Sequence, residues 1–142
     1  MLDTDAVVAG MRSPSGASAA ILWAARQGET TLLLTVALAL EYEAICCEAE
    51  HQLASGLSAR EVGIFVNAVI AIAEPVKTHF LWRPQLRDPG DEMVLEAAVN
   101  GRADALVTFN LRDFGSSPSR FGVDLLLPRE AIGKIRNREA RK

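Results

Sequence analysis

Ala105-Leu106-Val107-Thr108-Phe109-Asn110-Leu111-Arg112-Asp113 is the stretch on which the fold turns. It opens as an apolar run of strand length, predicted over residues 105–109, and breaks off into Asn, Arg and Asp. A helix leads into it. Asp88 is placed to cap that helix, Pro89 occupies its first position, Asp91 sits in the first turn, and Asn100-Gly101 ends it. Beyond it, residues 123–127 read as another strand, and Pro128 starts a short closing helix. Short apolar runs that alternate with helical periods are the pattern of a parallel α/β sheet.

Toward the N-terminus the pattern continues. Residues 2–8 are expected to form the first strand, Ser13-Pro14-Ser15-Gly16 a turn, and residues 17–27 a helix ending at Gly28. Residues 30–35 read as a buried strand and 36–53 as a helix. Ser58 with Glu61 forms a capping box, after which Val62, Phe65, Val66, Val69 and Ala73 share one helical face. Residues 74–76 begin a short extended piece. The expected architecture is α/β: a three-layer α/β/α sandwich with a central, mainly parallel sheet. Ligand sites in such sheets lie beyond the carboxyl ends of the strands.

The chain has 142 residues, 49% of them hydrophobic and 23% charged, which suits one domain with a packed core. No repeat or linker divides it. The domain is expected to span residues 1–133, with 134–142 a basic, frayed C-terminal tail. That tail holds five basic residues and one acid, so the net charge of −3 leaves −7 on residues 1–133. An acidic body argues against nonspecific coating of nucleic acid, which needs many cations on phosphates. The apolar runs are too short for a membrane span of ~20 residues. No basic-then-apolar leader opens the sequence, and the two cysteines, Cys46 and Cys47, are adjacent. The expected compartment is the cytoplasm.

Acids recur where strands end or helices begin: Asp3 near the first strand, Asp91 in a first helical turn, and Asp113 after the run ending Val107-Thr108. Glu41 adds a fourth. It shares a helical face with Leu38 and Ile45, so it projects among apolar neighbours, where a lone ionised carboxylate is costly. A hard cation, Mg²⁺ or Mn²⁺, shared with the other acids would resolve that cost. Such ions activate water and stabilise charge on a phosphoryl group, which points to phosphodiester hydrolysis. Glu43 remains a rival to Glu41, and Asp88 is better explained as a cap than as a ligand.

These residues resemble a family. Leu2-Asp3-Thr4-Asp5 is similar to the L-D-T-N opening of PIN-domain nucleases. Leu40-Glu41-Tyr42-Glu43 resembles the L-E-Y-E segment of the PIN toxins of toxin–antitoxin operons, the VapC-like ribonucleases. Arg87-Asp88-Pro89-Gly90-Asp91 resembles their R-D-P-x-D loop, and residues 106–114 their L-V-T-x-N-x-R-D-F block. Leu127-Pro128-Arg129-Glu130 matches the start of their closing helix. The resemblance implies that Asp3, Glu41, Asp91 and Asp113 bind metal and carry catalysis. It implies polar support from Thr4, Asp5, Asp88, Thr108 and Asn110. The implied activity is metal-dependent endonucleolytic cleavage of single-stranded RNA, neutralised by a cognate antitoxin, in a protein that forms a homodimer. Two positions depart from the pattern. Only Met1 and Leu2 precede Asp3, so the first strand is expected to be shortened. Asp5 stands where Asn is usual, and it either raises a neighbour's pKa, supplies another ligand or faces water.

Other signals carry less. Arg12, Arg87 and Arg112, and also Arg120, are candidates for RNA phosphates. Phe109 is expected to pack in the core as a continuation of its strand, with base stacking by Phe109 or Phe114 as the alternative. Cys47 and His51, four apart on one expected helix, are two ligands where zinc needs three or four. His79, Trp23 and Trp82 read as packing residues, with dimer contact open to the tryptophans. Dinucleotide and P-loop motifs are absent. Two further readings stay open: a catalytically inactive PIN-like module that binds RNA or a partner protein, and a haloacid-dehalogenase-like phosphatase with Asp3 as nucleophile.

Overall fold

A computed structural model describes residues 1–78 and 86–142; His79 and Trp82 lie outside the described residues. The expected first strand is the largest departure. Only the residues around Leu2 are extended: the Met1 amine donates to Ala105 O, Val107 N to Met1 O, and Asp3 N to Val107 O. Asp3 then caps a helix, α1 (Thr4–Arg12), instead of continuing a strand. The Ala6-Val7-Val8-Ala9 run suits either period. Burial of Ala6, Val7, Gly10 and Met11 shows the helical one.

The next helix, α2 (Ala17–Arg26), forms as expected and packs on α1. A Cβ on the buried Gly10 would meet Leu22 Cδ1 at 2.9 Å, so glycine sets how closely the two helices approach. Within residues 30–35, only β1 (Leu33–Leu34) is a strand, because the Thr35 hydroxyl accepts from Leu38 N and starts α3 (Val36–Cys46) at once. The long helix expected over 36–53 is two: Glu48 turns extended after Cys47, and α4 (Ala49–Ser55) follows. Cys47 and His51 are therefore not on one helix. The capping box at Ser58 and Glu61 opens α5 (Ala59–Ile72), and β2 (Glu74–Pro75) pairs in parallel with β1.

Past the residues left undescribed, Asp88 Oδ1 accepts from Gly90 N at 2.7 Å and starts α6 (Pro89–Asn100). Then β3 (Ala105–Val107) runs parallel to β4 (Asp124–Leu126), with the short helices α7 (Leu111–Phe114) and α8 (Ser117–Arg120) between them. The closing helix, α9 (Pro128–Ala140), is long rather than short. It carries most of the expected tail, since Ala131, Ile132 and Ile135 form a buried stripe against α2 and the core. Position 133 is thus no boundary.

The class is α/β, rich in helix, with parallel strands of two or three residues. Sheet pairing among the described residues falls into two pieces, β1–β2 and Leu2–β3–β4. The expected continuous central sheet of a three-layer sandwich is not drawn by these hydrogen bonds. Caps at Asp3 and Thr35 end the extended segments early, so burial by helices takes over from strand pairing. Leu38, Leu95, Leu106 and Phe114 are among the large side chains fully buried in the one core cluster. Among the described residues no single helix is long and apolar enough to cross a membrane.

Candidate active site

The carboxyl end of β3 meets the start of α1, and Thr108 joins them. Its side chain is fully buried. Thr108 Oγ1 donates to Asp3 Oδ2 at 2.7 Å and accepts from Asn110 N at 2.9 Å. The Asp5 carboxylate lies only slightly farther from the same hydroxyl, at 3.2 and 3.4 Å, and takes Phe109 N at 3.1 Å. A hydroxyl has one proton, so two carboxylates compete for a single donor. Asp3, the nearer, holds it and also accepts from Thr4 N at 2.8 Å. Although only two residues precede it, Asp3 is buried and fixed on both oxygens.

Shortage of donors and of water shows in the acids' protonation. Burial raises the Asp3 pKa, against the Thr108 and Thr4 hydrogen bonds, and the Asp113 and Asp88 charges raise it further. Asp5 is pushed up to about 6, first by burial and then by the Asp3 charge. Asp91 also rises to about 6, by burial first and then by the charges of Asp3, Asp88, Asp113 and Asp5. Five acids from α1, the start of α6 and α7 therefore share one electrostatic field. Asp5 belongs to it, so the alternative of a solvent-facing Asp5 is set aside.

The other expected residues divide. Glu41 is half-buried and lines a groove with Thr4 and Asp5, whereas Glu43 is exposed. Asp88 is an exposed cap that adds charge, and Asp113 is exposed on α7. Thr4 Oγ1 is buried without a hydrogen-bond partner. Arg12, Arg87, Arg112 and Arg120 are all exposed. Phe109 is 53% exposed, contrary to the expectation of core packing, because β3 stops at Val107 and its backbone turns to serve Asp5. Phe114 is the buried one of the pair. Trp23 is exposed, with the Arg26 guanidinium 5.2 Å above its ring.

Sequence reasoning missed Tyr42. Its buried hydroxyl donates to Leu2 O, the carbonyl one residue before Asp3, and so ties α3 to the segment that carries the site's most buried acid. Its place beside Glu41 in a motif was visible, but nothing in spacing told which partner a buried tyrosine hydroxyl would take.

Raised carboxylate pKa values carry a stability consequence for the metal-free protein. Where the folded pKa exceeds the unfolded one, the native state binds more protons, and stability falls as pH rises through the interval. For Asp5 and Asp91 that interval runs from the ordinary 3.8 to about 6. In chelator, the melting temperature is expected to carry a falling component between those limits that Asp5→Asn reduces. An unchanged slope in that variant would contradict the shared field.

Among the described residues no three His, Cys, Asp or Glu side chains stand together as a ready-made cation site. The donor chemistry nevertheless suits Mg²⁺ or Mn²⁺. Mg²⁺ keeps several waters and needs only one or two carboxylates, with substrate phosphates completing the shell. Carboxylates that repel one another gain from any cation placed among them.

The sequence model of the PIN domain family matches residues 1–112, ending one residue before Asp113. No curated protein and no solved structure matches the chain. PIN domains are generally nucleases, and they typically use divalent metals. With the match covering well over half of the chain, from the capped Asp3 through the Thr108 turn, this protein belongs to the PIN domain family.

Proposed function

We propose that the chain is a metal-dependent endoribonuclease that hydrolyses phosphodiester bonds of single-stranded RNA, a toxin held in check by a cognate antitoxin. The observation that carries the nuclease reading is Asp3, buried at the carboxyl end of β3 and held by Thr108 and Thr4 N with Asp5 against the same hydroxyl, in a chain the PIN domain family model matches. Asp3, Asp91 and Asp113 would hold Mg²⁺ or Mn²⁺, with Glu41 completing the acidic set from α3. When bound, the ion supplies a lowered pKa for its water and charge neutralisation at the phosphoryl group. Thr108 and Asn110 orient Asp3, Asp88 and Asp5 add charge, and Thr4 donates its backbone N–H to Asp3. The homodimer, the antitoxin and the cytoplasmic setting belong to this proposal through the motif resemblance.

Asp91, pushed up to about 6, must lose its proton to receive a cation, so affinity for Mn²⁺ is expected to rise as pH passes through that value. The direct test is cleavage of a mixed-sequence single-stranded RNA with Mn²⁺, with Mg²⁺ and with chelator. Cleavage is expected with either ion, to vanish in chelator, and to be lost in Asp91→Asn with the circular dichroism spectrum retained. Activity that survives chelator or Asp91→Asn would sink the reading, and an inactive but RNA-binding wild type would favour the non-catalytic module. The phosphatase reading is the less favoured one, since the family match lies elsewhere.

A further inference from the structure

Beside the acidic centre runs a groove of about 570 Å³ between α1, α3 and α4. Its two ends differ in charge. Thr4, Asp5 and Glu41 line one end, and Arg12 and His51 the other, over a floor that includes Val8 and Ile45. Arg12 Nη1 contacts His51 Nδ1 at 3.4 Å, and His51 Nε2 lies 3.7 Å from a Glu48 carboxylate oxygen. His51 thus stands between the Arg12 guanidinium and Glu48, one ring nitrogen toward each. Among the described residues no carboxylate pairs with Arg12 in an ion pair. At the opposite end Thr4 is more than nine-tenths buried, with its hydroxyl closed off from solvent. An exposed guanidinium held over the groove without a counter-ion is placed to pair with an anion that enters it.

We propose that this groove seats the RNA strand next to the cleavage point, with Arg12 gripping a phosphate beyond the scissile one. The proposal rests on the nuclease reading and names where its substrate lies. Thr4 and Arg12 are eight residues apart on one helix, about 12 Å at a rise of 1.5 Å per residue. At about 3.4 Å per nucleotide along a stacked strand, that length spans about three steps. A phosphate at Arg12 therefore lies a few nucleotides from the reacting phosphate. Glu48 and His51 are positioning residues: they hold the guanidinium over the groove. Arg12 thus offsets, at a distance, the repulsion between RNA and the acids, and leaves the reacting end free for the cation.

The test uses the full chain and a labelled, mixed-sequence RNA oligonucleotide, with binding read by anisotropy in chelator and cleavage in Mn²⁺. Arg12→Gln is expected to weaken binding about tenfold or more and to reduce the salt slope of log affinity by about one. It should raise KM by a similar factor and change kcat much less. Arg12→Lys restores most of the salt slope but less of the affinity, because the point charge lacks the guanidinium fork. His51→Ala weakens binding less than Arg12→Gln does. If the wild type cleaves RNA while Arg12→Gln keeps wild-type affinity, salt slope and KM, the groove proposal fails and the nuclease reading stands. If the wild type neither binds nor cleaves RNA, both fall together.

Discussion

Asp3→Asn is expected to abolish metal-dependent RNA cleavage, a loss of at least about a hundredfold, while the metal-free protein stays folded and gains heat resistance. The loss follows from the proposed role of Asp3: removing a charged oxygen that holds the ion forfeits several kcal/mol of transition-state stabilisation, at about 1.4 kcal/mol per factor of ten. Survival of the fold follows from the hydrogen bonds. Asparagine Oδ1 can still accept from Thr4 N, as the carboxylate does at 2.8 Å. Its amide would donate to Thr108 Oγ1, which then turns its own proton to the Asp5 oxygen 3.2 Å away. The gain in stability follows from electrostatics, since a neutral residue ends the repulsion that Asp3 exerts on Asp5 and Asp91. Asp5 and Asp91 should then titrate at lower pH, which carbon-detected NMR of their carboxyl groups would read directly. A variant with wild-type cleavage, or one that melts several degrees lower in chelator, would contradict the assignment.

How far the sequence carried this reading depends on which residues did the signalling. The helix α6 was legible almost to the residue, because Asp88, Pro89 and Gly101 mark its ends by side-chain chemistry and backbone geometry that need no tertiary context. The strands β3 and β4 were legible as apolar runs bounded by polar turns. Residues 2–8 were not, since Ala6-Val7-Val8-Ala9 is apolar at every position and has no period to read. What decided the matter was the Asp3 cap together with the ladder from Met1 and Asp3 to β3, contacts across more than a hundred residues of chain. The basic segment after 133 misled through its charge: Ile135 alone marks the buried stripe within it.

The site shows the same division. Its acids were named from their places at strand ends and helix starts and from the motif resemblance; among the described residues no three of them stand together as a cation site, although charge on Asp3 and Asp113 reaches Asp91. Asp5 was seen only as a departure from a pattern. Its weight in the cluster comes from Thr108 and Phe109 N, which approach it from the far end of the chain. Phe109 was expected inside because it follows a strand, yet the backbone that would have extended β3 is spent on Asp5 instead. Pairing of Arg12 with His51 was equally invisible, because it depends on the break between α3 and α4 at Glu48.

Thr108→Val separates the architecture of the site from its charge. Valine has nearly the same shape, and Thr108 is fully buried, so packing changes little. What disappears is the hydroxyl that donates to Asp3 and accepts from Asn110 N. Leaving those buried groups without a partner costs about 1–3 kcal/mol of stability. Losing a group that orients a metal-binding carboxylate typically costs about 10–100-fold in metal affinity or activity. The two effects have a common signature in pH. The Thr108 hydrogen bond lowers the Asp3 pKa against the pull of burial, so its removal lets that pKa climb further. The pH at which the protein half-saturates with a fixed Mn²⁺ concentration is therefore expected to move upward in Thr108→Val. Thr108→Ser keeps the hydroxyl and should return both the midpoint and most of the affinity, although it loses a buried methyl. A valine variant with unchanged affinity and midpoint would show that Asp3 is held by its α1 cap alone. A serine variant no better than valine would assign the effect to the methyl group and its packing rather than to the shared proton.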